Sequence, residues 1–138
     1  MADWWQWSQQ KEEQALTFAV VGVGRFGTAV CRELISNGVD VLAADASEKA
    51  IDDLRQLEPS IEARVIDCTD EESMKESGIL EMNTVVVGIS EPIEASITTT
   101  LIAKDSEGTK VKRVIARATS DLHEKMLKRV GADKVVFP

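Results

Sequence analysis

The chain has 138 residues, a formal net charge of −8 and 43% hydrophobic residues, so it suits one domain with a real core and repels nucleic-acid backbones. No apolar run approaches the roughly 20 residues of a membrane-spanning helix, so no direct membrane insertion is expected. The first residues lack the basic start and apolar stretch of a signal peptide, which points to the cytoplasm.

Residues 1–14, MADWWQWSQQKEEQ, contain all three tryptophans followed by a polar stretch. They read as a flexible leader, or alternatively as a docking arm anchored by Trp4, Trp5 and Trp7. The domain then occupies residues 15–138. A short apolar run over 16–21 ends at Gly22 and reads as a buried strand. Residues 26–36 form a helix with Ala29, Val30 and Leu34 on its apolar side, stopped by Asn37-Gly38. A second strand spans 39–44. Ser47 caps a helix over 48–57 with Ala50, Ile51 and Leu54 facing inward.

The third strand is expected over 63–66. Thr69-Asp70-Glu71-Glu72 matches a capping box, with Thr69 opening a short helix that ends at Gly78. The fourth strand covers 84–89. Pro92 suits the first turn of a helix to about residue 104, along which Ile93, Ile97 and Leu101 recur every fourth position. A fifth strand covers 112–116. Ser120 caps a helix carrying Leu122, Met126, Leu127 and Val130, ended by Gly131, and the last strand covers 134–137. Short apolar strands alternating with helices imply an α/β, Rossmann-like, doubly wound parallel sheet of six strands, order 3-2-1-4-5-6. No room remains for a second, substrate-binding domain.

Gly22-Val23-Gly24-Arg25-Phe26-Gly27 is a GxGxxG turn that follows a strand and opens a helix, the context a dinucleotide fingerprint requires. Gly22 allows the tight turn, Gly24 lets backbone approach phosphate, and Gly27 lets the helix pack on the strand. The helix N–H groups and dipole then favour an anion. Asp45, eighteen residues after Gly27, stands where a carboxylate holds ribose hydroxyls and repels a 2′-phosphate. With Ala46 it begins the next turn.

Asp67-Cys68-Thr69 follows the third strand, on the edge that borders adenine in this fold, with Thr69 as a plain cap and Asp67 as a turn residue as the alternative. Gly88-Ile89-Ser90 would leave space for ribose and phosphates, with Glu91 solvated. Arg25 is a cation misplaced at a helix N-terminus, which a bound anion would compensate. Arg117 is a second candidate for phosphate.

Catalytic groups are scarce. There is no tyrosine for an acid/base pair, and His123 reads as a surface or capping residue. Neither a Walker lysine, a GxSxG elbow nor a metal-ligand cluster is present. Cys31 and Cys68 lack CxxC spacing and are expected to be reduced and structural. Binding without catalysis fits best. The rivals are an NAD-dependent oxidoreductase, or its cofactor lobe, and an interaction module that has lost its ligand.

The stretches FAVVGVGRFGTAVCRELISNGVDVLAADASEKAIDDL, VIDCTDEESMKESGI, NTVVVGISEPIEASITTTLIAK and VIARATSDLHEKMLKRVGADKVVFP resemble the N-terminal lobe of RCK domains, the regulators of potassium conductance. The likeness is to regulatory subunits of bacterial Ktr/Trk-type potassium uptake. It implies a cytoplasmic gating subunit, peripheral to the inner face of the membrane through its channel partner.

The resemblance implies ATP or ADP as ligand, with NAD(H) as an alternative and NADP disfavoured. By position, Gly22, Gly24 and Gly27 would line the phosphates, Asp45 the ribose, and Asp67 and Cys68 the adenine. Arg25 would reach terminal phosphates near a neighbouring subunit, and Arg117 matches a position that is basic in the family. Assembly as a homo-oligomer, a dimer or an octameric ring, is implied. The apolar stripes of the 92–104 and 120–130 helices are expected to carry the self-association. Family members continue into a crossover helix and a C-terminal lobe that this sequence does not contain.

Overall fold

The computed structural model describes residues 16–137, and the expectations placed on residues 1–14 lie outside them. In chain order the elements are β1 (Phe18–Val21), α1 (Arg25–Ser36), β2 (Val41–Asp45), α2 (Glu48–Leu57), β3 (Glu62–Val65) and α3 (Glu71–Ser77). A 3₁₀ turn at Ile79–Glu81 follows, then β4 (Thr84–Val87), α4 (Ile93–Asp105), β5 (Arg113–Arg117), α5 (Asp121–Arg129) and β6 (Lys134–Val136). All strand pairs are parallel, and the sheet order is β3-β2-β1-β4-β5-β6. This is the expected doubly wound topology.

Alternate residues of each strand face opposite sides, and each side builds a core. Ala19, Val21, Leu42, Ala44, Val85, Val87, Val114 and Ala116 meet Met74 of α3, Ala103 of α4 and Leu127 of α5. On the other face, Phe18, Val20, Ala43, Val86 and Ile115 meet Val30, Cys31 and Leu34 of α1 and Ile51 and Leu54 of α2. All four residues of β1 are buried, because helices cover both faces of the middle of the sheet.

Several local expectations are corrected. Thr69 does not cap α3; Asp70 does, its carboxylate accepting from Ser73 N at 3.0 Å. Thr69 is instead drawn back onto Asp67, whose Oδ1 accepts both its N–H (2.9 Å) and its hydroxyl (2.6 Å). An Asx turn has won the threonine that the capping-box pattern assigned to the helix. Ala29 lies exposed while Cys31 takes its place in the core. Pro92 is the N-cap of α4 rather than part of its first turn.

Helix α4 carries its polarity inside out. Ser96, Thr99 and Thr100 are fully buried, whereas Ile93 and Leu101 are exposed. The buried hydroxyls find local acceptors: Ser96 donates to Ile93 O (2.9 Å) and Thr99 to Cys68 O (3.0 Å). Thr100 Oγ1 is buried without a partner among the described residues. Ala103 is buried in the core and Ile97 and Ile102 pack against it, whereas the Ile93 and Leu101 positions of the apolar stripe are left outside.

His123 is buried, not on the surface. Its Nδ1 accepts the Thr119 N–H at 3.1 Å, so the ring must be neutral with its proton on Nε2. That proton points to Ser96 Oγ at 2.6 Å, tying α5 to α4. Burial lowers the affinity of this imidazole for a second proton, below the ordinary value near 6.5. The unfolded chain therefore binds the proton more readily. Stability is full above the ordinary value and falls as pH drops below it. A His123→Gln variant is expected to lose this share of the slope between about pH 7 and 5, a window above that of ordinary carboxylates. Urea denaturation across that range measures it, and an unchanged slope would show that His123 is not the group responsible.

Candidate functional site

The site lies where the carboxyl ends of β1 and β4 separate, the place at which strand order reverses. Gly22 leaves β1 with φ +92, and a Cβ there would stand 2.7 Å from Ile89 N, so the turn requires glycine. A Cβ at Gly27 would run into the Gly22 carbonyl oxygen. Gly24 is different. Nothing lies within 4 Å of the position its Cβ would take, and its φ of −71 lies outside the left-handed region that favours glycine. The protein's own packing does not demand glycine at this position; a ligand approaching the backbone would.

The turn is held in shape by Asp45. One carboxylate oxygen accepts Val23 N–H and the other Ser47 N–H, each at 2.8 Å. The Thr28 hydroxyl closes the loop onto Val23 O at 2.9 Å. Helix α1 then starts with no side-chain cap and no acidic residue in its own first turn, so its first N–H groups are not taken by a capping side chain.

A cavity of about 280 Å³ opens beside this turn. Of the residues singled out from sequence, Gly22, Gly24, Asp45, Ala46, Asp67, Cys68, Thr69, Gly88 and Ile89 line it. Ser90 and Glu91 do so too, and Glu91 is exposed as expected. Pro92 and Ala95 are lining residues the sequence reading missed. The signal available was their place at the start of a helix that follows a strand on the same sheet edge. Val23, Arg25, Phe26, Gly27 and Arg117 do not line the cavity. Val23 and Gly27 are buried within the turn, Arg25 is exposed, and Arg117 sits over the Phe26 ring, 5.6 Å from its centroid.

The electrostatics divide by side. Asp45, Asp67 and Glu91 face the cavity, while the cations Arg25 and Arg117 stand by the glycine turn. Hydrogen bonds from the Thr69 hydroxyl and N–H hold the Asp67 carboxyl below the usual carboxylate range. Burial, reinforced by the charges of Asp45 and Asp67, pushes the Cys68 thiol up to about 12. It is a neutral wall of the cavity near pH 7, as Cys31, also at about 12 through burial, is a neutral part of the core. The Ser96–His123 pair is buried and lies outside the cavity lining, so the histidine serves packing rather than ligand chemistry there.

A family model described as the TrkA-N domain matches residues 18–138. The chain belongs to the TrkA-N domain family. It is 40% identical over 121 residues to Ktr system potassium uptake protein C of Bacillus subtilis, covering 88% of this chain and 52% of that protein. It is 37% identical to Ktr system potassium uptake protein A of Vibrio alginolyticus, covering 88% and 53%. The TrkA-N chain thus spans about half the length of these relatives.

Among solved structures, the TrkA-N domain of the inner membrane protein ybaL from Escherichia coli superposes with a TM-score of 0.75 at 22% identity, covering 91% of this chain and 90% of that one. The GsuK channel bound to NAD gives 0.74 at 15% identity, covering 91% and 22%. GsuK bound to ADP gives 0.70 at 16%, covering 90% and 31%. These likenesses establish the shared fold.

Asp45 is expected to be structural before it is anything else. Asp45→Ala leaves two backbone N–H groups without their charged acceptor, a loss of about 2 kcal/mol. Asp45→Asn, which keeps one acceptor oxygen, should lose less. Equilibrium urea unfolding of both variants measures this, and wild-type stability in Asp45→Ala would contradict the clamp.

Proposed function

We propose that this TrkA-N domain is the nucleotide-sensing part of a cytoplasmic regulatory subunit of a potassium channel or transporter. Its ligand would be an adenine nucleotide, ATP or ADP, with NAD(H) as the alternative and NADP disfavoured. The observation that carries this reading is Gly24: a glycine in open space, on a preformed turn, at the mouth of a cavity edged by an uncapped helix start.

On this reading, backbone N–H groups of the turn and of α1 receive the phosphates. The lone pairs that Asp45 has left after its two backbone contacts accept ribose hydroxyls. A 2′-phosphate would meet that carboxylate, which disfavours NADP. Adenine would lie against Ala46, Asp67, Cys68 and Thr69, with Gly88 and Ile89 bounding the ribose. Arg25, exposed at the first position of α1, is free to meet terminal phosphates, including those of a neighbouring subunit. The names of the Ktr relatives and the ADP- and NAD-bound states of GsuK support this assignment of ligand and role.

The exposed stripe of α4 and α5 supports self-association. Ile93, Leu101, Leu122 and Met126 are all exposed large apolar residues, Leu122 at 67%, and α4 and α5 pack side by side. A homo-oligomer joined through this face, and a membrane potassium-transport subunit bound to that assembly, complete the proposal.

Calorimetric titration with ATP, ADP, NAD⁺, NADH and NADPH tests the ligand. ATP or ADP should bind best and NADPH worst. Gly24→Ala should bind nucleotide at least about tenfold more weakly while unfolding as wild type does, because its methyl meets only a ligand. Full affinity in Gly24→Ala, or no binding by the wild type, would sink the reading. For assembly, a Leu101→Glu/Leu122→Glu double variant is expected to shift the chain towards monomer in sedimentation velocity. An unchanged distribution would place the contact elsewhere.

A further inference from the structure

The wall that α4 gives to the cavity is fixed by one buried polar chain. Pro92 and Ala95 line the cavity, and the next residue, Ser96, is turned into the core. The first turn of the helix has little else to hold it. Pro92 provides no side-chain cap, and Ile93 is exposed. Ser96 Oγ donates to Ile93 O at 2.9 Å, closing the turn, and accepts from His123 Nε2 at 2.6 Å. His123 Nδ1 accepts the Thr119 N–H at 3.1 Å. Thr119, His123, Ser96 and Ile93 thus form a directed chain in which each group donates to the next. It uses both ring nitrogens and exists only with the ring neutral.

A second proton would sit on Nδ1 and face the Thr119 N–H, donor against donor. The acceptor left beside it is the Thr119 hydroxyl at 3.3 Å, so ring and turn must shift to use it. Burial already lowers the affinity of the ring for that proton. Among the described residues no charged side chain faces the ring from the elements packed around it. On α4, Glu94 and Asp105 are exposed and Lys104 bonds Asp133, while the inward Thr99 and Thr100 are uncharged. On α5, Asp121, Lys125 and Arg129 are exposed and Glu124 pairs with Lys128. On β5 and β6, Arg113, Arg117 and Lys134 share the sheet face of Ile115, which α1 covers. Helices α4 and α5 cover the other face.

We propose that His123 is a positioning residue for the nucleotide site: through Ser96 it fixes the α4 wall, and protonation of the ring frees that wall and weakens binding. The inference rests on the nucleotide-site reading above and adds a regulation to it, sensitivity to acid through a ring that the ligand never touches. Binding and protonation are then linked and oppose each other. Affinity is full above the ordinary imidazole value and falls as pH drops below it. Bound nucleotide, which needs the wall in place, drives the ring further towards its neutral form.

His123 is the one histidine of the 138 residues, so NMR can follow its ring protons through a pH titration of the untagged full chain, without and with saturating ADP. ADP should lower the midpoint by about half a pH unit, which corresponds to about threefold weaker binding to the protonated form. An unchanged midpoint overturns the proposal, and so does a raised one, the result expected of a phosphate that merely attracts the imidazolium. Calorimetric titration with ADP between about pH 7.5 and 5.5 is the second measurement, in wild type, His123→Gln and Ser96→Ala. A terminal phosphate itself titrates at about pH 6, so the quantity compared is the ratio of wild-type to variant affinity at each pH, in which that titration cancels. The ratio should fall about twofold to threefold towards the acid end for both variants, because neither carries the chain that protonation breaks. A ratio independent of pH overturns the positioning role while leaving the nucleotide site standing. A wild-type chain that takes up no ADP removes the site itself, and the positioning with it.

Discussion

One carbonyl oxygen sets the geometry on which the rest of this domain depends. The Gly22 oxygen lies where a Cβ of Gly27 would fall and 2.8 Å from where a Cβ of Gly88 would fall. The end of β1, the first turn of α1 and the end of β4 can converge only because both neighbours lack side chains. Any methyl there would have to push one of three backbones aside, in an interior that tolerates little added volume. The convergence aims the start of α1 along the edge of the sheet, and it opens the cavity on one side while Phe26 closes the other.

Asp45 then fixes what the glycines permit. Glycine-rich segments carry a large conformational entropy, and a turn that orders only on meeting its ligand would weaken binding by that cost. Here the order is built in, through the charged hydrogen bonds from Val23 and Ser47 to one carboxylate. The same carboxylate lines the cavity, so under the proposed function a residue with a folding role would also meet the ligand.

The sheet order and the turn were legible in the sequence because they rest on signals that do not depend on distant neighbours. Apolar runs of four to six residues, Gly22 before a helix, and caps at Ser47 and Ser120 each act within one turn of chain. What escaped was decided by competition or by tertiary contact. Thr69 had two hydrogen-bonding options, and the nearer, Asp67, won. His123 looked exposed because its neighbours are charged, yet its ring fills the space between α4 and α5 where Ser96 offers an acceptor. The pairing of Phe26 with Arg117 joins residues 91 positions apart, and no local pattern announces it. Pro92 and Ala95 entered the cavity lining only because α4 starts at its mouth.

Helix α4 shows how a site of this kind can reach an outer surface without a long chain of contacts. Its first turn lines the cavity through Ala95. Its inner face bonds the cavity wall through Thr99 and the Cys68 carbonyl, and bonds α5 through Ser96 and His123. Its outer face carries the exposed Ile93 and Leu101. A core of interlocked leucines would hold such a helix in one position. Hydroxyls facing a wall of valines, one of them without a partner among the described residues, hold it by a few directional contacts beside the packing of Ile97, Ile102 and Ala103. Under the proposed function, a ligand that fits one setting of Ser90–Ala95 better than another can bias the helix, but only by that difference in affinity. A tenfold difference is about 1.4 kcal/mol per site, and identical sites in an oligomer act together on the shared apolar face. The coupling is thus set less by how tightly the cavity binds than by how unevenly it binds across the two settings.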